Sequence, residues 1–183
     1  MGISGLLKQV GPLGDKKVHI SKYSGKRAVV DASTWLYRGC YSCAREVALQ
    51  IKTEKFLRFV MHRVNLLRYN KIHVTMVFDG NVLPLKDGTC KQRRSSKRDA
   101  LAKARKFENE ARQCQFPQEK RKLWGQADKY YKQAYSPKFS ETSLLIRELK
   151  KANVPYIVAP YEADAQLVYM YVACDFVWAG CFP

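Results

Sequence analysis

Long apolar runs are missing from this chain. No stretch approaches the roughly 18 apolar residues of a membrane-spanning helix. The first ten residues carry no signal-peptide pattern, because a charged, glycine-rich stretch follows at once. Met1-Gly2 is not a myristoylation signal, since Leu6 stands where Ser or Thr is required. Cysteine is sparse: six in 183 residues, which is no disulfide framework. Cys40-x-x-Cys43 lacks a second pair and a nearby His, which excludes a zinc site and favours a reduced, intracellular protein. Acid is scarce too. Against 33 Lys and Arg stand 16 Asp and Glu, a net charge of +17. That excess fits a polyanionic partner, most simply nucleic acid; a solubilising surface is the bland alternative.

The length suits one domain with a real core. Three apolar runs each end in acid. Arg27 to Val30 leads to Asp31, Val74 to Phe78 leads to Asp79, and Val154 to Ala159 leads through Pro160 to Glu162 and Asp164. Each reads as a buried strand, and Leu167 to Val172 reads as a helix after the third. Between the first two, Phe56, Phe59, Val60, Val64 and Leu67 recur at three- and four-residue steps, an amphipathic crossover helix. The expected fold is therefore α/β, a mostly parallel central sheet flanked by helices. A strand-terminal Asp alone is often only a helix cap. Three such ends place four carboxylates at one sheet edge, where open α/β sheets bind ligands.

Lys91 to Lys106 holds eight basic residues against Asp99 and reads as a basic helix with a weak apolar face, not expected to be buried. Phe116-Pro117 and Ser136-Pro137 are breaks bounding a further helix. Phe139 to Ala152 reads as an amphipathic helix before the third strand. From Lys86 to Lys151 there are 19 basic and 8 acidic residues, so most of the charge excess lies in this insertion.

Three ordered motifs carry a resemblance. Met1-Gly2-Ile3-Ser4-Gly5-Leu6-Leu7, Val77-Phe78-Asp79-Gly80 and Ala159-Pro160-Tyr161-Glu162-Ala163-Asp164-Ala165-Gln166 resemble the flap endonuclease and exonuclease 1 family, the XPG-type structure-specific 5′ nucleases. The likeness runs from Met1 to about Met170. It implies a PIN-like 5′ nuclease fold with a basic helical arch. It also implies one incomplete nuclease domain: residues 1–99 as amino-terminal region, 86–137 as arch, 138–170 as the start of the internal region and 171–183 as a divergent tail.

The implied activity is divalent-metal-dependent 5′-to-3′ exonuclease and 5′-flap endonuclease action on duplex DNA with a 5′ end, nick, gap or flap, in DNA repair. Two Mg²⁺ ions, with Mn²⁺ as a substitute, would sit on Asp31, Asp79, Glu162 and Asp164, since carboxylates suit hard cations. Lys86 and Arg93, seven and fourteen residues past Asp79, hold the places of the family's catalytic Lys and Arg. Tyr37, six residues past Asp31, holds the place of a base-stacking Tyr. Arg63, Arg45, Arg94, Lys97 and Gly2 are further DNA contacts by the same resemblance. The substrate implies the nucleus.

Beyond the third motif the family pattern stops. The expected acidic cluster after the next strand is absent from Tyr171 to Pro183, and Asp175 does not stand in its place. The family's partner-binding tail is absent as well. A catalytically impaired DNA-binding fragment is therefore the alternative expectation. A phosphohydrolase with a nucleophilic Asp is a third, against which the amino-terminal motif and the basic insertion argue.

Overall fold

A computed structural model describes residues 19–81, 87–174 and 176–178. After a short 3₁₀ turn (Ile20–Tyr23) the order is β1 (Arg27–Asp31), α1 (Ala32–Cys40), α2 (Ala44–Ala48), α3 (Lys55–Tyr69) and β2 (His73–Phe78). There follow α4 (Asp87–Gln113), α5 (Pro117–Ala134), α6 (Phe139–Lys151), β3 (Tyr156–Val158), α7 (Ala163–Ala173) and β4 (Val177–Trp178). The strands form one parallel sheet in the order β3-β2-β1-β4, with Ala28 opposite Val74 and Val77 opposite Ile157.

Alternation along the strands divides the core. Ala28, Val30, Val74, Met76 and Phe78 face a layer built by Trp35 and Leu36 of α1, Phe56, Val60 and Val64 of α3, and Leu145 and Leu149 of α6. Val29 and Val77 face the other way, onto Ala159 and onto Ala163, Leu167 and Met170 of α7. β1 and β2 are buried on both faces, which is why each reads as a continuous apolar run rather than an alternating one.

The third strand is shorter than its apolar run suggests. Pro155 and Pro160 bracket it, and neither can donate to a ladder. Beyond Tyr171, α7 runs to Ala173, and Val177 and Trp178 pair with Ala28 and Val29.

The basic helix also differs from expectation. It is 27 residues long, and Ala100, Ala104 and Ala111 are buried against α5. Small side chains let the two helices approach closely. The rings of Phe107 and Tyr130 stack at 5.5 Å, and Ala127 faces inward. A three-residue connector and Pro117 at the start of α5 make the turn between them.

One buried ionic knot ties this hairpin to the sheet domain. Glu108 is 5% exposed. Its carboxylate accepts from Arg45 Nη2 of α2 at 2.6 Å, from Arg112 Nη2 at 2.7 Å and from the Tyr131 hydroxyl of α5 at 2.5 Å. The Arg45 bond, with the other donors, holds the Glu108 carboxyl down at about 2 despite burial. The same bond raises Arg45. Arg45 also lies over the Trp124 ring, 5.2 Å from its centroid.

Candidate active site

The carboxyl ends of β1, β2 and β3 open into one cavity of about 690 Å³. Asp31, Asp79, Glu162 and Asp164 all line it, together with Tyr37 of α1 and Arg93 and Lys97 of α4. Seven of the twelve candidate residues thus meet in one place, although they come from four separate stretches of chain.

Local chemistry explains why each acid stands where it does. Asp31 caps α1: Oδ1 accepts from the Thr34 N–H at 3.0 Å and Oδ2 from the Thr34 hydroxyl at 2.5 Å. The ordinary capping role and a place in the cavity therefore coincide. Asp79 reaches across to the third motif, where its Oδ1 accepts from the Ala163 N–H at 2.9 Å. A carboxylate at that helix start is favoured by the dipole of α7. Glu162 is the residue before the first turn of α7 and Asp164 lies within that turn.

Gly80 permits this seam. A Cβ at position 80 would lie 1.9 Å from the Ala159 carbonyl oxygen. Its N–H donates to Tyr161 O at 2.6 Å, and the Asn81 N–H donates to Pro160 O at 3.1 Å. The second and third motifs are in effect stitched together along their backbones.

Electrostatics in the cavity is mixed. Arg93 is exposed and Lys97 half-buried. Burial, and then the neighbouring Arg93 charge, push the Lys97 ammonium below its ordinary value. Tyr37 sits against Tyr41 and Tyr135, with centroids 5.8 and 5.5 Å away, and burial raises its phenol.

Three of the remaining candidates lie elsewhere. Arg45 is taken up in the Glu108 knot. Arg63 lies over the rings of Phe59 and Trp35, at 5.0 and 5.9 Å. Arg94 is exposed on α4 and does not line the cavity. Gly2 and Lys86 fall outside the described residues.

Sequence reasoning missed Lys138 and Phe139. Both line the cavity at the start of α6, and Phe139 is 87% exposed. Their signal was position: they directly follow the Ser136-Pro137 break.

The oxygen-only donor set suits a hard divalent cation. Its arrangement is looser than a finished metal site. Among the described residues no three His, Cys, Asp or Glu side chains converge closely enough to hold an ion.

Comparison with known proteins follows the same lines. Residues 1–100 match the family model for the XPG N-terminal domain. Over 170 residues, 93% of this chain, the sequence is 35% identical to Exonuclease 1 of Arabidopsis thaliana and 34% identical to Exodeoxyribonuclease 1 of Schizosaccharomyces pombe. The chain spans 22% and 28% of the lengths of those two relatives. The catalytic core of Rad2, solved in complex with DNA substrate, superposes with a TM-score of 0.58 at 21% identity, over 93% of this chain and 40% of that one. That likeness establishes a 5′ nuclease fold.

Proposed function

Because this chain belongs to the XPG N-terminal domain family, we propose that it carries the amino-terminal half-site of a structure-specific 5′ nuclease. The enzyme would hydrolyse DNA phosphodiesters 5′-to-3′ from an end or at a flap, in nuclear DNA repair. The observation that carries the reading is the single cavity that unites four strand-end carboxylates with Tyr37, Arg93 and Lys97. Acid alone would repel a phosphodiester, and base alone would bind it without cleavage. Their juxtaposition suits phosphoryl chemistry.

Asp31, Asp79, Glu162 and Asp164 would hold divalent cations, with Mg²⁺ the proposed ion. When bound, such ions supply charge neutralisation and an activated water. The protein's own groups do the rest. Arg93, with Lys97 beside it on α4 and Lys86 by its offset from Asp79, would bind the scissile phosphate and offset the charge that builds on its oxygens. Tyr37 would stack on the terminal unpaired base, a contact that is indifferent to sequence. Products would carry a 5′-phosphate. The outer face of α4 would track the DNA backbone.

A second reading, DNA binding without cleavage, is favoured by one observation. Both Asp31 oxygens and one Asp79 oxygen already accept protein hydrogens, and no three acids converge among the described residues. A nuclease assay separates the two. The substrates are a 5′-labelled recessed duplex and a 5′-flap duplex, with Mg²⁺ or EDTA, cut by wild type or Asp164→Asn. Asp164 is exposed. Mg²⁺-dependent cleavage lost in the variant supports hydrolysis. Binding with no cleavage in either protein supports the second reading.

A further inference from the structure

The opposite end of the sheet carries the opposite charge. A trough of about 670 Å³ runs beneath the beginnings of all four strands. Arg27 opens β1, His73 opens β2, Pro155 precedes β3 and Phe176 precedes β4. Four of its lining residues are basic (Arg27, Arg68, Lys71 and His73), and among the described residues none of the lining is acidic.

Its walls are fixed. The Arg27 guanidinium donates through Nη2 to Cys174 O at 2.7 Å and lies 4.7 Å from the Phe176 ring centroid. Arg68 donates through Nη1 to Ala152 O at 2.8 Å. Each bond uses one of the five guanidinium donors and leaves a fork in set orientation. Lys71 sits at φ 59°, its carbonyl accepting from the Gly25 N–H at 2.9 Å, so the turn before β2 is pinned as well. The floor is apolar, made by Ile72, Val74, Val154 and Phe176.

The sheet also leaves room there. β3 pairs with β2 only from Met76 onward, so among the described residues His73 to Thr75 have no strand beside them on that side.

We propose that this trough docks a short acidic peptide segment of a partner protein, laid in extended form across the strand starts. Carboxylates would meet Arg27, Arg68, Lys71 and His73, while an apolar side chain would settle on the floor. Charge complementarity and size choose the occupant. Duplex DNA presents its charge on the outside of a stiff rod and suits a ridge or a groove that tracks it. A concave trough of this volume is the size that takes a few side chains. Extended pairing along the open half of β2 is the mode that parallel edges offer to peptides.

The test uses fluorescence anisotropy on the full chain with three fluorescein-labelled probes. These are a hexapeptide of alternating aspartate and phenylalanine, the same peptide with asparagine for aspartate, and oligothymidylate. The acidic peptide is expected to bind at least about tenfold tighter than the asparagine version. The double variant Lys71→Glu, His73→Glu is expected to lower that affinity by about tenfold or more. Oligothymidylate binding should stay within about twofold of wild type, because its proposed contacts are at the other sheet end. Both altered side chains are exposed, and Lys71→Gln alone gives the same direction if the double variant folds poorly. Equal binding of the two peptides overturns the proposal, as does acidic-peptide binding indifferent to the variants. Parallel loss of oligothymidylate would instead make the trough part of the nucleic-acid path. Because nuclease activity is not read, failure here leaves the carboxylate cavity untouched.

Discussion

Replacing Glu108 with Gln should loosen the helical hairpin from the sheet. Glu108 is the one acid buried among two arginines and a tyrosine, and its carboxyl titrates at about 2 rather than the ordinary 4.5. A displacement of that size corresponds to about 3 kcal/mol of stability at neutral pH. The same order follows from breaking a buried ion pair one partner at a time, about 3–5 kcal/mol. The folded value is depressed, so the contribution is fully present above the unfolded value and is lost as pH falls toward about 2. By pH ~3 about 2 kcal/mol of it should already be gone. Urea unfolding of wild type and Glu108→Gln at pH ~7 and ~3 measures both quantities. The gap between the proteins should be about 3 kcal/mol at the higher pH and about 1 at the lower. A gap under about 1 kcal/mol at neutral pH, or one that does not narrow on acidification, would refute the assignment of Glu108 as the knot's centre.

Three further outcomes are expected. Gly80→Ala forces a methyl into the Ala159 carbonyl oxygen at 1.9 Å; it should cost about 3 kcal/mol or more and lower the melting temperature by about 6 °C or more, read by calorimetry. Arg93→Ala with Lys97→Ala should weaken DNA binding and reduce the slope of log K against log salt by about 2, one per lost phosphate contact, as measured by titration at several salt concentrations. Cys40 is buried and its thiol is pushed up to about 12, chiefly by burial; iodoacetamide at mild pH should alkylate Cys114 and Cys174 in the native protein but reach Cys40 only after urea, as mass spectrometry would record.

The strand-then-acid pattern was legible because a buried parallel strand leaves an unbroken apolar run, and nothing in the tertiary structure competes with that signal. The crossover helix was legible for the same reason: its stripe at Phe56, Val60, Val64 and Leu67 is the face it buries. What escaped was pairing over distance. Arg45 and Glu108 are 63 residues apart, and no local spacing predicts that they meet. Arg45 therefore read only as a DNA contact. Ala100, Ala104 and Ala111, at steps of four and seven residues, mark the close seam with α5. Arg63 read as a DNA contact because its offset from Asp79 matched a pattern, while its ring contacts depend on how α1 and α3 pack. The pair Val177-Trp178 was too short to read as a strand, and only β1 beside it supplies the ladder.

The stitch between Gly80 and Tyr161 has a consequence for the order of events during synthesis. The two backbone bonds and the Asp79–Ala163 bond join segments about 80 residues apart in the chain. A ribosome therefore delivers Asp31 and Asp79 long before the residues that lock their neighbourhood. In the interval the α4–α5 hairpin, whose contacts are local, can fold by itself. Once formed, it shortens the effective tether between β2 and β3 and lowers the entropy lost when they meet. The acidic cavity is thus late-born: a nascent chain would carry its positively charged face well before the carboxylate cluster is assembled.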